Sequence, residues 1–141
     1  MTRTPRRLVL GAAAAGLLVS SLGAQATPLP TPAVAVAPPQ GAVIGFGAPY
    51  VLAVQGQAVS LLNVDTVAHT LTSVATTPKR LKFGRKYYTI RVPLFDSGSV
   101  GGAATGDVKG VISLKPGDYT FYCQMHTGMK GTLRVVSSPV G

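Results

Sequence analysis

The sequence predicts an all-β sandwich of seven to eight strands, and three observations carry that prediction. From Gly41 onward no stretch shows the long 3.6-residue apolar period of an amphipathic helix. Short apolar runs recur instead, separated by turn signals at Gln55-Gly56, Pro116-Gly117-Asp118 and Gly128 with Gly131. Several runs also alternate with period two, clearest where Tyr119, Phe121 and Cys123 interleave with Thr120, Tyr122 and Gln124. Many short strands in one domain-sized length of chain make a sandwich.

Taken in order, residues 1–26 read as an export signal. Arg3, Arg6 and Arg7 precede an apolar stretch from Leu8 to Gly23, and Ala24-Gln25-Ala26 supplies a small-x-small site with cleavage expected after Ala26. The adjacent arginines followed by Leu-Val-Leu also resemble a twin-arginine signal. The apolar stretch falls short of the roughly 20 residues a bilayer span needs, so membrane association is expected only peripherally or through a retained signal. No cysteine lies near the cleavage site, which excludes a lipidated N-terminus. The protein is therefore expected in the periplasm, the cell envelope or outside the cell.

Residues 27–40, TPLPTPAVAVAPPQ, read as an extended, unpacked linker, and residues 41–141 as the folded domain. The expected strands are Ala42–Phe46, Tyr50–Val54, Ala58–Asn63, His69–Val74, Lys86–Val92, Val108–Leu114, Asp118–Cys123 and Gly131–Ser137. Between Thr77 and Arg91 six Lys/Arg side chains interleave with Phe83, Tyr87 and Tyr88. This stretch reads as a solvated loop and edge strand, where lysine discourages edge-to-edge association, with a docking patch as the competing reading. Gly98–Gly110 is glycine-rich without the Gly-Lys-Ser/Thr of a phosphate loop, and is expected to be a mobile connection.

The formal charge is +9, and without the three signal arginines ten Lys/Arg face four Asp, leaving about +6. Such a balance favours anionic partners. No motif for reading bases or phosphates accompanies it, so nucleic acid is not expected.

The chemistry concentrates near the C-terminus. The only cysteine, one of two histidines and a methionine fall at Cys123-x-x-His126-x-x-Met129. A lone cysteine in an exported chain has no internal disulfide partner, which favours a ligand role. Thiolate, thioether and imidazole together suit copper cycling between two oxidation states, with the thioether as a weak axial donor. A second imidazole is needed, and His69 is the one remaining. The expected ligands of one copper ion are therefore His69, Cys123, His126 and Met129. Cys123 ends a strand, Gly128 and Gly131 let the following loop bend back, and His69 must arrive from a neighbouring strand or loop.

From about Ala42 to Val136 the chain resembles the small cupredoxins, the group of plastocyanin, amicyanin and pseudoazurin. The resemblance rests on Asn63-x-Asp65-x-x-x-His69-Thr70, Phe95-Asp96-Ser97-Gly98, Pro116-Gly117-x-Tyr119-x-Phe121-x-Cys123-x-x-His126 and Met129-x-Gly131. It implies an eight-stranded Greek-key sandwich, a type 1 copper site and single-electron shuttling between a donor and an acceptor redox protein. It also implies that His126 lies near the surface in an apolar patch and acts as the electron port. The chain departs from the group at Leu61-Leu62, where Trp is common before the asparagine. It departs again at Thr70, where Asn is common, although a hydroxyl there would still bridge the two ligand loops.

Enzymatic readings fit poorly. Cys-His nucleophilic catalysis needs a third orienting group and an oxyanion hole, and a strand end followed by Cys123-x-x-His126 offers neither. Zinc prefers four firm ligands, and a thioether is a poor one. The competing non-enzymatic reading is a copper carrier or store in the cell envelope using the same residues. A monomeric electron carrier docking on acidic partner surfaces is the reading favoured here.

Overall fold

The computed structural model describes residues 30–138. The export segment expected over residues 1–26 lies outside them. Seven strands form two facing sheets. One has the order β1-β3-β7, from Ala33–Ala37, Val59–Asn63 and Ala104–Asp107. The other has the order β2-β9-β8-β4, from Tyr50–Val54, Lys130–Val136, Gly117–Tyr122 and Thr72–Ser73. β1 and β3 pair in parallel, the chain crossing to the other sheet for β2 between them, and β2 also pairs in parallel with β9. The remaining pair, β5 (Thr76–Phe83) and β6 (Lys86–Pro93), forms a separate two-stranded ribbon.

Alternation along the strands builds the core. Val51 and Ala53 point inward from β2, Val59 and Leu61 from β3, Phe121 from β8, and Leu133 and Val135 from β9. Phe46 meets the Phe121 ring edge-on at 5.0 Å between centroids, a geometry that aromatic quadrupoles favour. Gly131 completes this arrangement: a Cβ there would stand 2.4 Å from Phe121 Cζ, so only glycine lets β9 close over the ring.

Several expectations are corrected. The linker expected over 27–40 is not unpacked throughout, because residues 33–37 form β1, whose ladder to β3 runs from Ala33↔Val59 to Ala37↔Asn63. Pro32 and Pro38 lie just outside the strand and cost it no hydrogen bond, while Ala35 and Ala37 are small enough to pack between the sheets. Ala42–Phe46 is not a strand: Gly41–Ile44 forms the one-turn helix α1, and Val43 and Ile44 face solvent. Gly98–Gly110 is not a loose connection, since it contains β7, paired antiparallel to β3. Gly106 packs so closely on Val100 that a Cβ would fall 2.5 Å from its Cγ2. Val108–Leu114 holds a 3-10 turn over Val111–Ser113, which buries Val111 with its C-cap Leu114, while Val108 N–H still donates to Val59 O beside β7. The strand expected over His69–Val74 shortens to Thr72–Ser73, with His69 bridged separately to Val100.

Candidate metal centre

Two loops meet at one end of the sandwich. The first leaves β8 at Cys123. Its neck is closed by Cys123 N–H donating to Met129 O at 3.0 Å, and Met129 N–H donating to His126 O at 3.3 Å. Gly128, at φ 90°, makes the bend that side-chain-bearing residues resist. The second loop carries His69. Its backbone exchanges two hydrogen bonds with Val100, at 3.0 and 2.8 Å. Asn63, fully buried, braces this loop: its amide donates to Val67 O, Val100 O and Gly101 O, and its Oδ1 accepts from Asp65 N–H.

The expected residues come together. Cys123 Sγ lies 3.8 Å from His69 Nδ1 and 3.4 Å from His126 Nδ1. The three donor atoms lie within 4.8 Å of one another, and this is the one such His/Cys/Asp/Glu group among the described residues. Bonds of about 2.0 Å to nitrogen and 2.3 Å to sulfur, meeting at about 120°, would separate sulfur from each nitrogen by about 3.7 Å. The distances from Cys123 Sγ to the two imidazoles thus suit residues that would hold a single ion. Met129 is buried, and its Cε lies 3.3 Å from where a Gly41 Cβ would stand, with His69 Cε1 at 3.5 Å from the same point. Gly41 therefore packs against both residues, a placement the sequence did not signal. His69 and Cys123 are buried, whereas His126 is half-exposed. Exposed Val43, Ile44, Val64, Val67 and Met125 flank the site residues along the chain.

The groups behind these residues are as ordered as the residues themselves. Thr70 N–H donates to Cys123 Sγ at 3.3 Å, and Gln124 N–H donates to Thr70 Oγ1 at 2.8 Å, so Thr70 joins the two loops through backbone and side chain. Thr72 Oγ1, 3.2 Å from Thr70 Oγ1, donates to Asp96 Oδ1 at 2.7 Å. Ser97 Oγ accepts from Leu71 N–H at 2.8 Å. The Phe95-Asp96-Ser97-Gly98 motif thereby acquires a physical role in holding the segment that follows His69.

Asp65 is the residue whose role sequence reasoning missed. Its Oδ2 sits 3.0 Å from His69 Nε2 and also accepts from Gly41 N–H at 3.1 Å, while Oδ1 accepts from Thr66 N–H at 2.8 Å. With Nε2–H donating to Asp65, Nδ1 of His69 is left as the lone-pair nitrogen facing Cys123. The hydrogen bond from His69, then that from Thr66, holds the Asp65 carboxyl down at about 2, against an ordinary 3.8. The four-residue spacing from Asp65 to His69 was the available signal.

No family profile and no curated protein matches the chain. Among solved structures, a purple cupredoxin from Nitrosopumilus maritimus matches 74% of this chain and 99% of its own, at TM-score 0.52 and 18% identity. The chain has the cupredoxin fold. A copper-containing nitrite reductase from Thermus scotoductus SA-01 aligns over 85% of this chain but only 25% of its own, at TM-score 0.52 and 19% identity. A methionine-to-alanine mutant of amicyanin in its Cu(I) form aligns over 74% of this chain and 82% of its own, at TM-score 0.48 and 14% identity. In the cupredoxin sandwich seen here, the four expected residues sit where two loops close one end, on backbone held by sheet and bridge hydrogen bonds.

Proposed function

We propose that the chain is an exported type 1 copper protein that carries single electrons between redox proteins. One observation carries this reading: the donor atoms of Cys123, His69 and His126 converge beside buried Met129. Bound copper would supply a one-electron couple between its two oxidation states. The chain's contribution is to hold the donors still. Thr70 donates to the sulfur, Asp65 orients the His69 ring, and the neck of the Cys123–Met129 loop is pinned by backbone hydrogen bonds. Donors fixed in this way need little rearrangement when an electron arrives or leaves.

The competing reading, a copper carrier or store, calls for exchangeable donors. Burial of His69, Cys123 and Met129 favours electron transfer, with half-exposed His126 as the route to a partner. Both histidines of the chain belong to this cluster, leaving no imidazole for a second, substrate-converting metal centre, so the reading is a carrier and not an enzyme. Its partners are proposed to be a donor and an acceptor redox protein, and the protein is proposed to work as a monomer in the periplasm or cell envelope.

The test is the visible spectrum of the chain with one Cu(II), before and after ascorbate. An intense orange-red absorption that bleaches on reduction, and is lost in Cys123→Ser, is the expected result. A pale complex, or a Cys123→Ser variant that stays intensely blue, would overturn it.

A further inference from the structure

The β5–β6 ribbon has no role in the copper reading. Its eight-residue strands pair from Thr76↔Pro93 to Phe83↔Lys86 around a Gly84-Arg85 loop with Gly84 at φ 59°. Such strands span about 25 Å, and every residue from Thr77 to Arg91 is exposed. An isolated two-stranded ribbon is marginal in water, so one this long and bare requires a partner.

The register sorts the ribbon into two unlike faces, because directly opposed residues share a face. One face carries Leu81 opposite Tyr88, Phe83 opposite Lys86 and Ile90 opposite Lys79. Phe83 is 82% exposed. The other face carries Lys82 opposite Tyr87, Arg80 opposite Thr89 and Arg91 opposite Pro78. Arg80 stacks on the Tyr87 ring at 4.1 Å, and Arg91 Nε donates to Thr76 Oγ1 at 2.8 Å, so two of these cations are held in place. Arg85 adds a cation at the tip. No acidic residue lies between Asp65 and Asp96, and none of the ribbon cations is in a salt bridge.

We propose that this ribbon is a docking arm for anionic lipid surfaces. The Leu81, Phe83, Tyr88 and Ile90 row enters the headgroup boundary while the surrounding Lys and Arg bind lipid phosphates. Aromatic and aliphatic side chains bordered by lysines are the composition that settles at a membrane interface. Lys79 and Lys86, at the two ends of the apolar row, have stems long enough to return their charges to the headgroups. Other occupants fit less well. A second copy would bring a like-charged arm against this one, and residues 1–29 contain three arginines and no acid. An acidic protein would match the charge, but a single-layer ribbon offers no pocket for the packed anchors that hold a protein interface. A bilayer requires only an apolar row and cations.

The test is co-sedimentation of the full chain with phosphatidylcholine vesicles, with and without phosphatidylglycerol. Two double variants, Leu81→Ser/Phe83→Ser and Lys82→Ser/Lys86→Ser, are compared with the parent. Each is expected to lower partitioning onto the anionic vesicles roughly tenfold or more, and the far-UV spectrum of the sandwich should be unchanged. Failure to bind anionic vesicles would overturn the proposal and leave an acidic protein as the partner. Equal binding to both vesicle types would overturn it too. So would binding unaffected by either variant, which would place attachment in the N-terminal apolar segment. None of these results depends on copper, so the arm and the electron-carrier reading fail or stand separately.

Discussion

Thr70→Val isolates the link between the two ligand loops. Thr70 is buried and its Oγ1 accepts the Gln124 N–H at 2.8 Å, one residue beyond Cys123. Valine keeps the shape and removes the acceptor together with the 3.2 Å hydroxyl contact to Thr72, so the cavity contribution is small and the main loss is that of one unpaired backbone N–H. Such a loss costs about 1–3 kcal/mol. Gln124 is itself exposed, so water reaches part of that N–H and the expected cost is about 1–2 kcal/mol. Thr72 keeps its bond to Asp96, which confines the damage to the loop link. For a domain of this size the apo-protein melting temperature should fall by roughly 4–8 °C. Thermal unfolding followed by far-UV circular dichroism measures this, with Thr70→Ser as the variant that keeps the hydroxyl. A Thr70→Val protein that melts with the parent would refute the reasoning, as would a Thr70→Ser protein that loses as much.

The other predictions concern the metal and pH. Asp65→Asn turns a carboxylate that accepts three N–H groups into an amide whose NH2 faces at least one of them. Copper affinity in a chelator competition should drop about 10- to 100-fold, and the reduction potential should rise because a negative charge behind His69 is lost. Met129→Leu conserves volume and should retain copper while raising the potential in voltammetry, since a weak donor to Cu(II) is removed; an unchanged or lowered value would count against the axial role. Because the folded-state pKa of Asp65 lies below its unfolded value, at about 2 against 3.8, its contribution is complete above the unfolded value and disappears as pH falls through the folded one. Urea midpoints of the apo-protein should therefore decline below about pH 4, and Asp65→Asn should flatten that decline. The bidentate Arg134–Asp118 pair also lowers a carboxyl, but both side chains are half in solvent and it should add little.

What the sequence determined by itself was local. Cys123, His126 and Met129 lie on one short loop, and the alternation of Tyr119, Phe121 and Cys123 marks the strand that delivers them, so ligand type and spacing are readable within a single segment. His69 followed by elimination, because only one other imidazole exists. The tertiary structure decided everything that depends on distant neighbours. Ala33–Ala37 reads as a spacer until β3 offers it a ladder, and Gly106 reads as slack until Val100 presses against it. Asp65 is an ordinary loop acid until the His69 ring turns its Nε2 toward it, and the Lys79–Arg91 stretch reads as a loop and one edge strand until Thr76–Phe83 pairs with that strand into a two-faced ribbon. Side-chain type and periodicity are carried by adjacent residues. Burial, close approach and hydrogen-bond partnership arise only when remote segments are brought to within a few ångströms, as the two sheets and the two ligand loops are here.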